Sequence, residues 1–358
     1  MRDNKATRLA FGAGSVILAL ALTSAIVAIT GNDPFLAYKN ILQGSVGSPN
    51  VAGNVIVSWV PLLLATSGLL FTFTVGLWNI GIEGQITLGA IFSVWAMRGL
   101  ESAAVAPGLI IALSIIAGVA GGMLWALLAG ALKTFGGVNE IFGGLGLNFV
   151  ATALNLWLIF GPWKRPGVAS MSGTLPFDPR LWMPTLSEQS RLAPIPLILA
   201  ILTILIAFVL LKGTYFGLRL KAVGKNPKSA YLLGIPTWQH MMLSFAICGA
   251  FAGLAGAVQV TSVYHRLIPS ISSGYGYTGL MVAMLVNYSP VFAAPVALFF
   301  AALNVGSIQL PIVLKLDSSL AGVIQGFLVL FVLIGNGARI RLLKEQPRPP
   351  SDPDNFVR

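Results

Sequence analysis

The sequence predicts an all-α, polytopic integral membrane protein with about ten transmembrane helices and a possible internal repeat. Three observations predict this fold. Only 9% of the 358 residues are charged, whereas a soluble domain carries about 25%. Hydrophobic residues make up 56% of the chain, and the mean hydropathy is +0.84. The apolar residues also fall into long runs, several of which reach the roughly 20 residues that cross a bilayer.

The same composition excludes several classes of protein. So little charge does not cover the surface of a soluble enzyme of this length. A single cysteine, Cys248, excludes a disulfide scaffold and a cysteine-based metal cluster, and two histidines argue against a multi-histidine metal site. The net charge of +11 does not indicate a nucleic-acid partner, because the basic residues form short clusters between apolar runs.

Ten segments are candidates for membrane spans. The first follows three cations, but its apolar run is too long for a signal-peptide core and no clear A-x-A site follows. We therefore expect an uncleaved anchor. The third and the eighth segments are short or interrupted by glycine. The ten segments are 9–29, 51–75, 84–98, 107–131, 140–161, 194–212, 239–262, 276–289, 291–309 and 320–336.

The basic residues between these segments predict the orientation. With ten spans both termini lie on one side, and that side holds fourteen of the 22 cations. Cytoplasmic loops are enriched in Lys and Arg, so we expect both termini in the cytoplasm, with the lipid bilayer around the rest. The predicted organisation is a membrane domain over 1–338, with an outer loop at 162–193 and a cytoplasmic loop at 213–238, and a basic cytoplasmic tail over 339–358.

The segment 76–90, GLWNIGIEGQITLGA, joins two apolar runs and places Asn79, Glu83 and Gln85 among four glycines. Glycine destabilises a regular helix, so this density predicts a broken one. Irregular backbone at membrane depth occurs only against protein or a water-filled cavity, and an ionisable residue there is a functional candidate. Two interpretations stay open for Glu83: a structural role, such as capping a helix start, and direct contact with a substrate.

A second segment of the same kind, SISSGYGYTGLMVAMLVNY, occupies 270–288. It places Tyr275 and Tyr277 among glycines ahead of a short apolar run. Paired broken segments in similar positions of two halves indicate a transporter site between structural repeats. Membership of an interfacial aromatic belt is the open alternative for the tyrosines. We add Asn148, within an apolar run, to the candidate pathway residues.

Pairs of glycines four residues apart recur in the apolar runs, at Gly118 with Gly122 and at Gly249 with Gly253. Such faces let membrane helices approach closely, so they predict helix packing. The chain contains no G-x-x-x-x-G-K-[ST] phosphate loop and no recognisable catalytic constellation. It is therefore not expected to be an enzyme.

Three stretches resemble a known family: GLWNIGIEGQITLGA, GLRLKAVGKNPKSAYLLGI and GAFAGLAGAVQV. Together they are similar to the permease subunits of bacterial ABC importers in the branched-chain amino acid, ribose and nucleoside superfamily, and the first is similar to the nucleoside (guanosine-type) branch. The likeness covers about residues 35–336. It implies a permease that translocates nucleosides across the bacterial cytoplasmic membrane, with eight to ten helices around a central pathway.

The resemblance also implies the partners. These are a separate cytoplasmic ATPase that carries ATP and magnesium, a second permease subunit (a similar, shorter chain or a second copy), and an external binding protein or lipoprotein. No cofactor is expected in this chain. In the family, a motif in the cytoplasmic loop docks the ATPase through a short coupling helix. The matching positions here are Arg219, Gly224, Asn226, Pro227, Ala230 and Gly234. Leu232 is added to them as an apolar anchor that the loop should expose.

Two departures from that motif are visible, the insertion of Leu220 and Lys221 before Ala222 and a serine at Ser229, and neither should break a surface helix. Two alternative functions stay open. One is a permease for ribose-like sugars in the same superfamily. The other is a carrier driven by an ion gradient, which the coupling-type loop and the lack of an ion site disfavour.

Overall fold

The computed structural model describes residues 5–167, 172–186 and 191–344, which are predominantly helical and contain no strand. The predicted all-α class is therefore confirmed. The helices are α1 (Lys5–Ile29), α2 (Pro34–Val46), α3 (Pro49–Thr74), α4 (Ile82–Leu100), α5 (Pro107–Thr134), α6 (Glu140–Phe160), α7 (Pro194–Gly213), α8 (Tyr215–Lys225), α9 (Pro227–Leu232), α10 (Thr237–Val258), α11 (Tyr275–Leu285), α12 (Pro290–Ser307), α13 (Gln309–Val313) and α14 (Leu320–Lys344).

Eight helical segments in the described part of the chain are long and apolar enough to cross a membrane. Each coincides with one of the ten predicted spans. They are Phe11–Ile29, Pro49–Thr74, Pro107–Thr134, Glu140–Phe160, Pro194–Gly213, Thr237–Tyr264, Pro290–Val313 and Leu320–Arg339.

The other two predicted spans are the segments that glycines interrupt. The segment 84–98 forms α4, in which Glu83, Gln85 and Arg98 reduce the apolar character of a 19-residue helix. The segment 276–289 forms α11, which has 11 residues and is too short to cross alone. Both are helices, as expected, but neither qualifies as a full span.

Local chemistry explains where many helices begin. Proline occupies the first position of several of them, where its missing N–H costs no hydrogen bond. Examples are Pro49, Pro107 and Pro194. Side-chain caps complete other starts: the Oδ1 atom of Asn139 accepts the N–H of Ile141 at 2.9 Å at the start of α6.

Two compact units are present among the described residues, one within Met1–Ile41 and Ser307–Arg358, the other within Leu42–Gly306. In the first unit α1 packs along α14. The hydroxyl of Ser15 donates to the carbonyl of Phe331 at 2.9 Å, and Tyr38 donates to the carbonyl of Leu20 at 2.9 Å. Hydrogen bonds from a side-chain hydroxyl to the backbone of a neighbouring helix fix one helix against another inside a membrane.

The second unit has its core where α3, α4, α5 and α10 pack together. Glycine allows that packing. A methyl group on Gly89 of α4 would overlap the backbone of Gly253 on α10, and a methyl group on Gly253 would overlap the carbonyl of Gly118 on α5. The predicted close-packing faces are therefore confirmed, and three helices contact one another through backbone atoms.

Three features differ from or add to the sequence analysis. Helices α2 and α8 were not predicted, because α2 mixes apolar and polar residues over 13 positions and α8 is strongly basic. Helix α10 continues into a π-helical turn at Gln259–Tyr264. The described parts of the predicted outer loop, 162–167, 172–186 and 191–193, contain a single 3₁₀ turn, at Pro179–Leu181.

Candidate functional site

The break between α3 and α4 is a tight loop over residues 75–81. Gly76 has φ +79°, a left-handed conformation that glycine adopts without strain. The N–H of Leu77 reaches back to the carbonyl of Thr72 at 2.9 Å, which closes the end of α3. The predicted broken helix is therefore present, and the chain turns sharply into α4.

Two of the predicted pathway residues bind each other where this loop meets α4. The amide nitrogen of Asn79 donates to Oε1 of Gln85 at 3.0 Å, and the amide nitrogen of Gln85 donates to Oδ1 of Asn79 at 2.9 Å. Both side chains are buried, and Asn79 also donates to the sulfur of Cys248 at 3.1 Å. This reciprocal pair fixes the loop to the first turn of α4.

Asn148 of α6 holds the same turn from the other side. Its Oδ1 atom accepts the N–H of Gly84 at 2.8 Å, and its Nδ2 atom donates to the carbonyl of Ile80 at 2.9 Å. The first N–H groups of a helix have no partner within the helix, so a side chain that supplies one stabilises the start. The Nδ2 atom of Asn148 also lies 3.4 Å from the hydroxyl of Tyr277.

Glu83 connects the two broken segments. Its Oε1 atom accepts the backbone N–H of Tyr277 at 3.0 Å, in the first turn of α11, and the carboxylate also accepts from Gly276 and Ser272. A negative charge near a helix N-terminus is stabilised by the partial positive charge of its free N–H groups. Of the two interpretations left open for Glu83, helix capping is therefore observed, with the cap made to a helix almost two hundred residues away.

The second break runs from the π-helical turn to α11. His265, Ser273 and Gly274 all have positive φ, so the backbone turns repeatedly before α11 begins. The hydroxyl groups of Tyr264 and Ser273 lie 3.1 Å apart across this turn. A π-helical turn next to a second irregular stretch is an arrangement that often occurs at functional sites.

The two predicted tyrosines differ in their surroundings. Tyr275 is partly buried and bonded to the Ser58 side chain of α3. Tyr277 is 43% exposed. Gly276, the residue between the two tyrosines, packs against the first turn of α4, and a methyl group on it would lie 2.8 Å from the side chain of Ile82. Tyr277 is therefore the accessible side chain among the predicted pathway residues.

Trp125 on α5 joins this cluster without having been singled out in the sequence. Its Nε1 atom is buried and has no hydrogen-bond partner among the described residues, and a methyl group on Gly84 would lie 2.9 Å from it. The indole N–H therefore lies near the same turn that Asn148 holds. One tryptophan among eight in apolar sequence gives no signal of this position, which only the packing of α4 against α5 reveals.

The loop 75–81 has one more anchor, which involves the ends of α5 and α6. Lys133, near the end of α5, forms an ion pair with Glu140, the first residue of α6, at 2.6 Å. The same carboxylate accepts the backbone N–H of Trp78. A group of histidine, cysteine, aspartate and glutamate able to hold a metal is not found among the described residues.

The predicted coupling motif forms two short helices, α8 and α9. Asn226 is the N-cap of α9, where its Oδ1 atom accepts the N–H of Ser229 at 3.1 Å, and Pro227 is the first helical residue. Ala230 is buried, whereas Leu232 is 84% exposed. Gly234 has φ +79°, which ends the helix in a turn.

Helix α8 lies directly against the first break. A methyl group on Gly224 would overlap the carbonyl of Thr74 at the end of α3, and Gly76 faces the carbonyl of Gly224. Arg219, on the same helix, is exposed. The basic helix and the interrupted segment, 150 residues apart in the chain, are therefore in backbone contact.

Comparison with known proteins agrees with this architecture. Residues 51–333 match the family described as branched-chain amino acid transport system / permease component. The chain is 29% identical over 331 residues to the glucose ABC transporter permease protein TsgB13 of Haloferax volcanii, covering 89% of this chain and 85% of that protein.

Two further relatives carry nucleoside names. The guanosine ABC transporter permease protein NupP of Bacillus subtilis is 27% identical over 325 residues, covering 89% of this chain and 91% of that protein. The nucleoside ABC transporter permease protein NupB of Lactococcus lactis is 27% identical over 314 residues, covering 85% of each chain.

The apolar helices include two interrupted segments, and buried amide side chains fix the first of them. These features are those of a multi-pass membrane transport subunit. The chain belongs to the branched-chain amino acid transport system permease family, as a permease subunit of an ABC transporter. The predicted superfamily is therefore confirmed. Membership implies two kinds of partner, an ATPase and a substrate-binding protein.

Proposed function

We propose that this permease imports nucleosides across a bacterial cytoplasmic membrane, with both termini in the cytoplasm. ATP and magnesium would be bound by the separate ATPase, so this chain itself would catalyse no chemical step. It would pair with a second permease, either a similar chain or a copy of itself, and receive solute from an external binding protein or lipoprotein.

The observation that carries the proposal is the cluster of Tyr277, Asn148 and Trp125 at the meeting point of the two broken segments. Tyr277 offers an accessible aromatic ring, and its hydroxyl is next to an amide. Trp125 offers a second aromatic ring with an unused N–H. A nucleoside needs a flat apolar wall for its base and hydrogen-bonding groups for its hydroxyls.

The absence of a free charged group in the cluster supports a neutral solute. The carboxylate of Glu83 is occupied by backbone N–H groups of α11 and a serine hydroxyl. It is therefore not a free ion-binding group, which argues against a carrier driven by protons or sodium. The amides of Asn79 and Gln85 bond each other, so these residues would contribute to the pathway by fixing the loop 75–81 to α4 and would not contact the solute directly.

Uptake measurements with paired variants test the pathway. Trp125→Phe keeps the ring but removes the N–H, and Tyr277→Ala removes the second ring, so both should reduce nucleoside uptake while the ATPase still copurifies. Trp157→Phe on α6, where the side chain is 59% exposed, is the matched control and should leave uptake unchanged. Normal uptake in both pathway variants would place the solute elsewhere.

A sugar is the second candidate, because the relative from Haloferax volcanii is a glucose permease. A hexose is also neutral and also uses aromatic walls and hydrogen-bonding side chains. Titration of the partner binding protein with guanosine, adenosine, ribose and glucose separates the two. Tight binding of sugars alone would replace the nucleoside assignment while leaving the pathway in place.

We further propose that α8 and α9 transmit the motion of the ATPase. Arg219 and the two exposed helices form a basic, partly apolar surface, and α8 touches the end of α3 through Gly224. Closure of the ATPase would move α9 and, through α8, the first broken segment. The pathway would then switch between outward and inward access.

A charge placed in the docking surface tests this coupling. Leu232→Asp converts an exposed apolar side chain of α9 into a carboxylate, and it should abolish both transport and copurification of the ATPase. Leu175→Asp is the matched control, since that leucine is 52% exposed in the segment 172–186. The control should keep the ATPase bound; retention of the ATPase by Leu232→Asp would refute the assignment.

A further inference from the structure

A cavity lies beside helix α8, and its lining residues do not include Tyr277, Asn148 or Trp125. Its volume is about 430 Å³, which is within the range of small-molecule sites. The end of α3, the following loop, α8 and the residues just after α11 form its walls. The side chains that matter for binding are Phe73, Trp78, Lys221, Lys225, Asn287 and Tyr288.

Two lysines form one wall of the cavity. Lys221 and Lys225 are four residues apart on α8, so they lie on one face of the helix. Both are exposed, and neither ammonium group has an ion pair or a hydrogen bond within the described residues. The residues lining the cavity include neither aspartate nor glutamate. Two unpaired ammonium groups in a concave site favour an anion.

The opposite wall is aromatic. The rings of Phe73 and Tyr288 are stacked with centroids 4.9 Å apart and planes at 23°, and the ring of Trp78 meets Phe73 edge-on at 5.4 Å. Trp78 remains 37% exposed. Asn287 and Tyr288 are consecutive non-glycine residues with positive φ, at 49° and 60°. Such backbone costs energy and clusters at ligand sites.

We propose that this cavity binds a nucleoside 5′-monophosphate. The lysines would hold the phosphate, the exposed ring of Trp78 would contact the base, and Asn287 would bond to a base edge or the ribose. A phospholipid headgroup shares the phosphate but has no ring to place against the indole. Inorganic phosphate fills only the cationic end of the cavity.

The position of the cavity gives the binding a consequence. A ligand that contacts both α8 and the loop after α3 joins the proposed coupling helix to the first broken segment. Occupancy would therefore oppose relative movement of the two and slow transport when phosphorylated nucleosides accumulate. This regulatory consequence rests on the proposed function, whereas the binding itself does not depend on which solute is imported.

Photolabelling of the transporter, purified with its ATPase in nanodiscs of phosphatidylcholine, tests the binding. The probe is 8-azidoadenosine 5′-monophosphate, and only label on permease peptides that contain residues 73–78, 221–225 or 287–288 is counted. We expect AMP to protect these peptides at concentrations about tenfold or more below those needed with adenosine or with inorganic phosphate, because phosphate and base bind together.

Paired variants make the test specific. Lys221→Gln with Lys225→Gln should lower this labelling about tenfold or more, because two charge-assisted contacts to phosphate are lost. Lys212→Gln with Lys228→Gln removes the same charge from exposed lysines outside the cavity and should leave the labelling unchanged. Equal labelling in both double variants, or label confined to the ATPase, would overturn the proposal.

Two more outcomes assign the cavity differently. Protection by adenosine as effective as that by AMP would show that the cavity recognises the solute alone. Loss of the label when phosphatidylglycerol is added to the nanodiscs would show that a lipid headgroup occupies it. Either result overturns the nucleotide assignment without affecting the uptake test of the proposed function, and failure of that uptake test leaves the labelling result intact.

Discussion

Two amide side chains, Asn79 and Gln85, form a closed pair inside the first broken segment. Removal of one partner leaves the other buried without a full set of hydrogen bonds, whereas removal of both leaves nothing unsatisfied. The pair therefore predicts a strongly non-additive response to substitution. Cys248 enlarges this local network, because its sulfur accepts a hydrogen bond from Asn79.

A double-mutant cycle measures that response. We expect Asn79→Leu or Gln85→Leu alone to destabilise the purified permease by about 1–3 kcal/mol, the cost of one unsatisfied buried amide. The double variant should lose less than the sum of the two. Thermal unfolding in detergent, followed through tryptophan fluorescence, gives the values. Strict additivity would show that the two amides act independently.

Glu83 supports a second prediction at this scale. Glu83→Gln keeps the length of the side chain and one carbonyl oxygen for the N–H of Tyr277, but it removes the charge. We expect uptake to fall about fivefold, which corresponds to a loss of about 1 kcal/mol in one hydrogen bond, with an unchanged pH profile. Glu83→Ala removes the acceptor and should reduce uptake further. Complete loss of uptake together with its pH dependence in Glu83→Gln would instead indicate an ion-coupling acid.

How much of the site the sequence predicts is visible at these residues. Polar side chains among glycines in apolar runs identified Asn79, Glu83 and Gln85, and capping was one of the interpretations left open for Glu83. The distant partners of these side chains were not predictable, because Tyr277 and Cys248 lie far away in the chain. Trp125 had no local signal at all. The roles of these residues in solute passage stay predictions.

Helix α8 is the element whose packing has the clearest consequence. Its Gly224 lies so close to the end of α3 that a methyl group would overlap the carbonyl of Thr74. Gly224→Ala should displace α8 at a cost of about 1–3 kcal/mol, the usual price of overpacking. We expect uptake to fall about tenfold while the chain still inserts into the membrane. Uptake and surface expression are measured together.

Gly213→Ala is the control for that variant. Gly213 ends α7, in the same basic region, and a methyl group there would meet no atom within 4 Å. The same chemical change should therefore leave uptake at the level of the unmodified protein. Similar uptake in the two variants would mean that contact between α8 and α3 has no part in transport.

At the scale of elements, hydrophobicity predicts long helices better than short ones. Eight of the ten predicted spans are confirmed by length and composition, and the two doubtful ones are the interrupted helices α4 and α11. Helices α2 and α8 were missed because neither has an apolar run of membrane length. The π-helical turn after α10 was also missed, since packing rather than composition determines where such a turn falls.

The whole molecule carries one prediction about orientation. The distribution of cations predicts that residues 213–238 lie in the cytoplasm and that 162–193 lie outside. Single cysteines at Ser229 and Ser172, both exposed, should therefore react oppositely with an impermeant thiol reagent in intact cells. Labelling at Ser172 alone agrees with the prediction, whereas labelling at Ser229 alone inverts it.

The background for that experiment follows from the structure. Cys248 is the single cysteine of the chain, and it accepts a hydrogen bond from Asn79. Cys248→Ser keeps an acceptor at this position, so it should preserve uptake better than Cys248→Ala. A cysteine-free background that loses uptake through Ser but not through Ala would contradict the hydrogen bond.

The cap that Glu83 places on α11 also affects the biogenesis of the protein. The carboxylate is synthesised 194 residues before the N–H of Tyr277 that it binds. Until the ribosome has passed that point, α4 enters the membrane with an acid that lacks its partner, which is costly in a bilayer. Nascent chains that stop at residue 264 should therefore be degraded by membrane proteases faster than chains that stop at residue 290. Completion of α11, late in synthesis, would therefore be the step that protects the early helices from proteolysis.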